Sequence, residues 1–234
     1  MPIDLNAQQS QFAWRVAELA AASAEEVVLG SPRGAGLHTV STRQMRLLNT
    51  VKQRIDEVAE TTSDFVIVDG SQPNAFAGRD ANGTELVAIN FGMLEILDED
   101  VHLAAGLIGH EVAHLKLGHA DRDRSDPVRS TLLKQLGGVA LGALGVPAGG
   151  YISDMAVTAY ETEFSRDDER AADYLGAVWS VEAGFDPSGA WRLHDYLNKR
   201  GGGAGLAFLS THPSGAERIS TLKSLAERLG KPQN

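Results

Sequence analysis

No cysteine occurs among the 234 residues, so disulfide staples and thiolate ligation of a metal are both excluded. That absence does not fix a compartment, because exported chains can also lack cysteine. No basic block offsets a formal net charge of −10, which argues against a nucleic-acid partner. The chain shows neither an internal repeat nor a low-complexity tract. Residues 1–11 lack the basic start and continuous apolar stretch of a secretory leader, and Arg15, Glu18, Glu25 and Glu26 interrupt the Ala-rich stretch that follows. The expectation is a cytoplasmic location if that start is native, and a periplasmic one if the chain was trimmed. Long apolar runs are missing too. The nearest approach is 136–153, which is uncharged but contains six glycines and Pro147, and a bilayer offers unpaired backbone groups no water to bond. The spacing of Gly138 and Gly142 permits close helix contact. Membrane association is allowed there but not favoured; a packed, mobile flap or a subunit contact fits better.

What is present is 43% hydrophobic and 22% charged, enough to bury one sizeable core. The most informative stretch is His110-Glu111-Val112-Ala113-His114. On a helix, positions four apart differ by about 40° around the axis and about 6 Å along it, so both imidazoles can point at one metal ion. Glu111, turned by about 100°, lies beside that ion and can take a proton from a water held there. Upstream, Val101, Leu103, Ala104, Ala105, Leu107 and Ile108 form an apolar lead-in, with Asp98, Glu99 and Asp100 where a helix N-terminus favours negative charge. The motif is therefore expected on a buried helix. The plainer alternative is a helix carrying two hydrogen-bonded histidines. His102 and His119 are read in that plainer way, since each lies away from the pair by helical angle or height. Leu117 and Ala120 stand where the longer H-E-x-x-H-x-x-G-x-x-H pattern needs glycine and a third histidine.

A catalytic zinc usually has three protein ligands and an open position. The third is sought in Ser165-Arg166-Asp167-Asp168-Glu169-Arg170-Ala171-Ala172-Asp173. Ser165 with Asp168 reads as an N-cap and capping-box acid opening a helix toward Gly184. Glu169 and Asp173 then share a face. Glu169 can bind zinc while Asp173 accepts the second ring N–H of a ligating histidine. The alternative is a solvated acidic first turn, which suits Asp167 and Asp168. Small Ala171 and Ala172 would let this helix pack close to the metal helix.

Together, Gly109-His110-Glu111-Val112-Ala113-His114, Ser165-Arg166 and Glu169-Arg170-Ala171-Ala172-Asp173 resemble the HtpX-like and CAAX-prenyl-protease-like metallopeptidases. Asn74-Ala75-Phe76-Ala77 and Thr211-His212-Pro213 with Arg218 are similar to two further signatures of that family, in the same order along the chain. The resemblance implies that His212 faces the reaction's oxyanion and that residues 74–77 lie along a substrate cleft. In that reading the edge strand carrying Asn74 and Ala75 pairs with an extended substrate backbone. Both have plainer readings. Phe76 would be a hairpin residue packing into the core, and His212 a loop histidine held extended by Pro213.

The remaining signals are local. Residues 7–29 read as an Ala-rich helix stopped at Gly30-Ser31-Pro32, and Leu47, Leu48, Val51, Ile55 and Val58 recur at helical spacing. Phe65-Val66-Ile67-Val68 reads as a strand, and Asn82-Gly83 as a hairpin turn before a strand over 84–90. Asp126-Pro127, Asp186-Pro187 and a capping box from Ser214 to Glu217 each start a helix. The expected fold is α+β: a mainly helical, zincin-like metallopeptidase domain over 39–234 with a small antiparallel sheet beside the active-site helix, preceded by an N-terminal helical extension over 1–38. The expected activity is that of a zinc-dependent endopeptidase acting on proteins or peptides. It would hold one Zn2+ per chain through His110, His114 and Glu169, with Glu111 as general base. The alternative is a non-catalytic peptide- or partner-binding module that keeps a structural zinc.

Overall fold

The computed structural model describes residues 3–4, 13–30, 36–79, 83–119, 164–200 and 207–230. The 136–153 segment, the Asp126-Pro127 helix start, Asn82 of the expected turn, residues 31–35 and most of 1–11 lie outside them. Two sheets come first in the chain. Strands β1 (Ile3–Asp4), β3 (Glu26–Gly30) and β4 (Leu37–Ser41) form one, in the order β1-β3-β4. Strands β2 (Ala13–Arg15), β5 (Asp64–Val68), β6 (Ala75–Arg79) and β7 (Glu85–Asn90) form the other, in the order β2-β5-β7-β6.

The helix expected over 7–29 shrinks to α1 (Val16–Ala20) among the described residues, with strands on both sides. Val27 and Leu29 are buried while Glu26 is exposed, the two-residue period of a strand, and this alternation outweighs the helix preference of the surrounding alanines. Trp14, Val16 and Leu19 join the same apolar core as the later elements, and β2 pairs with β5.

Strand β5 is apolar without alternation because it lies between β2 and β7. Phe65 and Ile67 face the main core, whereas Val66 packs with Ala13, Leu86 and Ala88 on the other side. The small sheet is not wholly antiparallel. β6 and β7 pair antiparallel, with Gly83 just before β7 at a φ of +85°, but β5 and β7 run parallel because the chain passes through the edge strand β6, beyond β7, on its way from one to the other.

Helix α2 (Thr42–Ala59) buries Met45, Leu48, Val51 and Ile55, and Ser41 caps its start by accepting from the Gln44 N–H at 3.4 Å. After the short α3 (Phe91–Leu97) comes α4 (Val101–Lys116), opened by Asp100, which accepts from the main-chain N–H groups of His102 and Leu103 at 3.0 Å each. Every residue of α4 from 104 to 115 is buried. A helix covered on all sides is the centre of a domain. Helices α2, α5 (Arg166–Glu182) and α6 (Ser188–Arg200) pack against it, and after the short α7 (Ala207–Thr211) the last helix, α8 (Ala216–Leu229), packs on α5 and α6, giving a mainly helical α+β fold.

Close approach to α4 depends on glycine. A Cβ at Gly176 of α5 would sit 2.7 Å from His110 N, and one at Gly106 of α4 would sit 2.5 Å from Ala190 N of α6. Ala172 is buried in the α5 contact, but Gly109 and Gly176, more than Ala171, set its closeness. At the start of α8 the expected capping box is absent: Gly215 is the N-cap, and Ser214 Oγ instead accepts from Asn198 Nδ2 at 2.9 Å. Among the described residues no helix is long and apolar enough to cross a membrane.

Candidate metal centre

Buried polar groups on α4 are few, and they are the motif residues. His110 is 4% exposed, and Glu111 and His114 are not exposed at all. Their spacing turns both Nε2 atoms to one point, 3.0 Å apart. From α5, Glu169 reaches the same point: Oε1 lies 3.2 Å from His114 Nε2, and Oε2 lies 3.6 Å from His110 Nε2. Ser165 places that carboxylate by capping α5, accepting from the Asp168 N–H at 3.1 Å.

His212 follows α7 directly. Its N–H donates to Phe208 O at 2.8 Å, and its ring stacks on Phe208 with centroids 4.6 Å apart. Nδ1 stands 3.1 Å from His110 Nε2 and 3.0 Å from Glu169 Oε1, whereas Nε2 lies 3.5 Å from Glu111 Oε1. His212 thus sits deeper than a residue poised only over substrate. It joins His110, His114 and Glu169 in a buried group whose donor atoms all lie within 4.8 Å of one another.

The electrostatics follow from burial set against neighbours. Burial alone would raise the Glu169 carboxyl, but the charge of His110 and hydrogen bonds with His114 and His212 hold it well below the usual carboxylate range. Glu111 goes the other way: burial pushes it up against the pull of His212 and His110. Burial drives His114 well below the ordinary imidazole value, and for His110 the charges of Glu169 and Asp173 outweigh burial and raise it.

Three nitrogens and a carboxylate in this arrangement suit zinc, which takes imidazole and carboxylate donors tetrahedrally. A second observation agrees. Both oxygens of Glu111 are buried without a hydrogen-bond partner, a costly position for an ionised carboxylate unless a cation and water complete the cluster.

Around the donors lies a supporting layer. Asp173 Oδ1 is 3.1 Å from His110 Nδ1, and Arg218 of α8 holds Asp173 in a fork, with Nε to Oδ2 and Nη2 to Oδ1 at 2.7 Å each. Arg218 also contacts Glu169 Oε2 and donates to Pro213 O at 3.0 Å, tying the His212 loop to α5. On the sheet side, Asn74 and Asn90 exchange bonds, Asn74 N to Asn90 Oδ1 at 3.0 Å and Asn90 N to Asn74 O at 3.1 Å. Ala75 is fully buried, and Phe76 packs on the opposite face of the sheet. Among the described residues, what β6 leaves at the sheet edge beside α4 is therefore backbone more than side chain.

A family model for "Peptidase family M48" matches residues 41–226. The chain belongs to peptidase family M48. Among curated relatives, this M48 chain is 31% identical over 136 residues to a mitochondrial metalloendopeptidase OMA1 of Arabidopsis thaliana, covering 58% of this chain and 27% of the relative. It is 29% identical over 228 residues to a protease HtpX homolog of Salinibacter ruber, covering 82% and 79%, and 27% identical to one of Aquifex aeolicus, covering 83% and 73%. The HtpX-like resemblance and its metallopeptidase class are thus those of the chain's own family.

Some features of the M48 site escaped the sequence reading. His102 is a plain structural histidine, its Nδ1 accepting from Asp186 N at 3.1 Å. His119 is likewise a buried, hydrogen-bonded histidine, but its partner is the ring of His114, with the two Nδ1 atoms 3.0 Å apart. His194 of α6 is also buried against His110, with ring centroids 6.4 Å apart. A single carboxylate-to-arginine or imidazole-to-imidazole contact across the fold leaves no periodic trace, so only the M48 signature around Arg218 pointed to any of them.

Proposed function

We propose that this M48 chain is a zinc-dependent endopeptidase in which His110, His114 and Glu169 hold one zinc ion and Glu111 is the general base. Zinc, when bound, supplies Lewis acidity that activates water and polarises the scissile carbonyl. The observation carrying the proposal is the Glu111 carboxylate, fully buried, without a hydrogen-bond partner and beside the donor group. A structural zinc site has no use for such a group, whereas hydrolysis does. Glu111 takes a proton from the attacking water as its oxygen bonds to the carbonyl carbon, then delivers that proton to the amine as the C–N bond breaks. Burial raises its pKa toward the value that serves both directions.

The substrate we propose is an extended peptide or protein segment lying along the outer edge of β6. The edge position of β6 and its inward-facing Ala75 and Ala77 support pairing through main-chain hydrogen bonds, which asks little of substrate side chains. Asp173 orients His110, and His212 is proposed to donate to the oxyanion, a contact worth about 3 kcal/mol when pre-positioned. The place of His212 Nδ1 among the metal donors favours a second reading, in which His212 itself fills a coordination position.

One set of measurements tests these assignments. Zinc-loaded parent protein should cleave unfolded casein and lose that activity to a chelator. Glu111→Gln should keep zinc and fold yet lose turnover, and a variant retaining even a tenth of the parent rate removes Glu111 from the role of base. No cleavage by a fully zinc-loaded parent would favour the non-catalytic binding module. His212→Ala should lower kcat by about 10²–10³-fold with zinc content intact if it serves the oxyanion. A fall in zinc affinity instead assigns it as a ligand.

A further inference from the structure

The two metal-facing histidines of α4 are supported in different ways. His110 turns its outer nitrogen to a carboxylate, Asp173, but His114 turns its own to another ring. His114 Nδ1 and His119 Nδ1 are 3.0 Å apart, and on the far side of that ring His119 Nε2 lies 3.3 Å from Asp168 Oδ1. His119 is 5% exposed and His114 not at all, so the ring-to-ring contact is shielded from water, while Asp168 is partly exposed. We propose that His119 and Asp168 form a positioning relay for His114, an inference that rests on the zinc site proposed above.

Proton accounting leaves one arrangement with neutral rings. A ring that offers Nε2 to a metal carries its proton on Nδ1, so His114 is the donor across the 3.0 Å contact and His119 Nδ1 the acceptor. His119 then carries its own proton on Nε2, where Asp168 stands to accept it. Each contact fixes the tautomer of the next, and the carboxylate at the end strengthens His114 as a donor as directly bonded carboxylates do for other metal histidines. Phe164 stacks on the His114 ring at 3.9 Å between centroids and 29° between planes, which limits its rotation.

Asp168 is itself held. Ser165 Oγ donates to Asp168 Oδ2 at 2.7 Å, while the Asp168 N–H donates back to Ser165 Oγ. The capping box that starts α5 therefore does more than cap. It aims one carboxylate at the His119 ring, one residue before the Glu169 carboxylate reaches the metal point and five before Asp173 reaches His110. The opening turns of α5 thus govern both metal-facing imidazoles of α4, one through Asp173 and the other through His119.

The test is zinc affinity by chelator competition, with zinc content and melting of the metal-free protein measured on the same samples. His119→Phe keeps an aromatic ring against His114 and Phe164 but removes the acceptor. His119→Gln loses the ring but restores an acceptor and a donor. The relay predicts that His119→Phe weakens zinc binding by about 10–100-fold with the metal-free melting point nearly unchanged, and that His119→Gln binds more tightly than His119→Phe. Parental affinity in His119→Phe, or weaker binding in His119→Gln than in His119→Phe, overturns the relay and leaves His119 as packing. If His119→Phe does not fold, Asp168→Asn carries the test, since its main-chain N–H still reaches Ser165; parental affinity there overturns the relay equally. A parent chain that binds no zinc overturns the metal-site reading itself, whereas a zinc-binding parent with unaffected variants overturns the relay alone.

Discussion

Gly176→Ala tests whether the spacing of two helices sets the metal site. A Cβ there would lie 2.7 Å from His110 N, 2.8 Å from Gly109 C and 3.0 Å from His110 Cα. The first is about 0.7 Å inside the 3.4 Å at which ordinary contact begins, and all three obstacles are main chain, so no side chain can rotate away. Overpacking of this kind costs about 1–3 kcal/mol, and the upper half is expected against backbone on every side. The better helix propensity of alanine returns about 1 kcal/mol. The net loss should be about 1–2 kcal/mol, or roughly 2–8 °C in Tm for a chain of this size. Zinc affinity should fall with it. Glu169 and Asp173 ride on α5, and a shift of several tenths of an ångström against His110 exceeds the ~0.2 Å latitude of metal–ligand distances. Urea unfolding of the metal-free protein and chelator competition on the loaded protein measure the two effects. Gly109→Ala should behave alike, and the double variant should cost less than the two singles together, because both obstruct one interface. A Gly176→Ala protein with parental stability and parental zinc affinity would refute the reasoning and show that α4 and α5 can part without disturbing the site.

Arg218→Met should destabilise the protein by about 3–5 kcal/mol at neutral pH, because it strips the fork from the buried Asp173 carboxylate; a loss below about 1 kcal/mol in a melting experiment would contradict this. Burial works against the charge on Asp173, but His110 and Arg218 hold its pKa well below the usual carboxylate range. It therefore contributes stability that is present above the ordinary carboxylate pKa and lost as pH falls. In Arg218→Met that acid loss should begin at higher pH, which a series of melts between about pH 3 and 7 reads directly. Zinc release should also follow pH. His110, raised by Glu169 and Asp173 despite burial, is the first ligand to take a proton on acidification, while burial keeps His114 neutral to much lower pH. Below the His110 pKa the apparent zinc affinity should fall about tenfold per pH unit, one proton per metal, and a flat profile across that range would contradict the assignment.

What the sequence determined by itself is whatever a few adjacent residues decide. Spacing at 110, 111 and 114 put two imidazoles and a carboxylate on one helix, the apolar run before them buried it, and Ser165 opened the helix carrying Glu169, all through local periodicity and capping. The same local reasoning misjudged 7–29, where alanine content pointed to a helix and the packing of Trp14, Val27 and Leu29 imposed strands. The parallel pairing of β5 with β7 belongs to the tertiary structure, because register between strands depends on partners distant in the chain. So does the depth of His212, 102 residues from His110 and yet 3.1 Å from its ring. Arg218 gripping Asp173 and His119 bridging His114 to Asp168 likewise join residues that no periodicity links. Glycine at 109 and 176 decided the closeness that makes these contacts possible, since only where neither helix carries a Cβ can their backbones approach until a carboxylate on one meets an imidazole on the other.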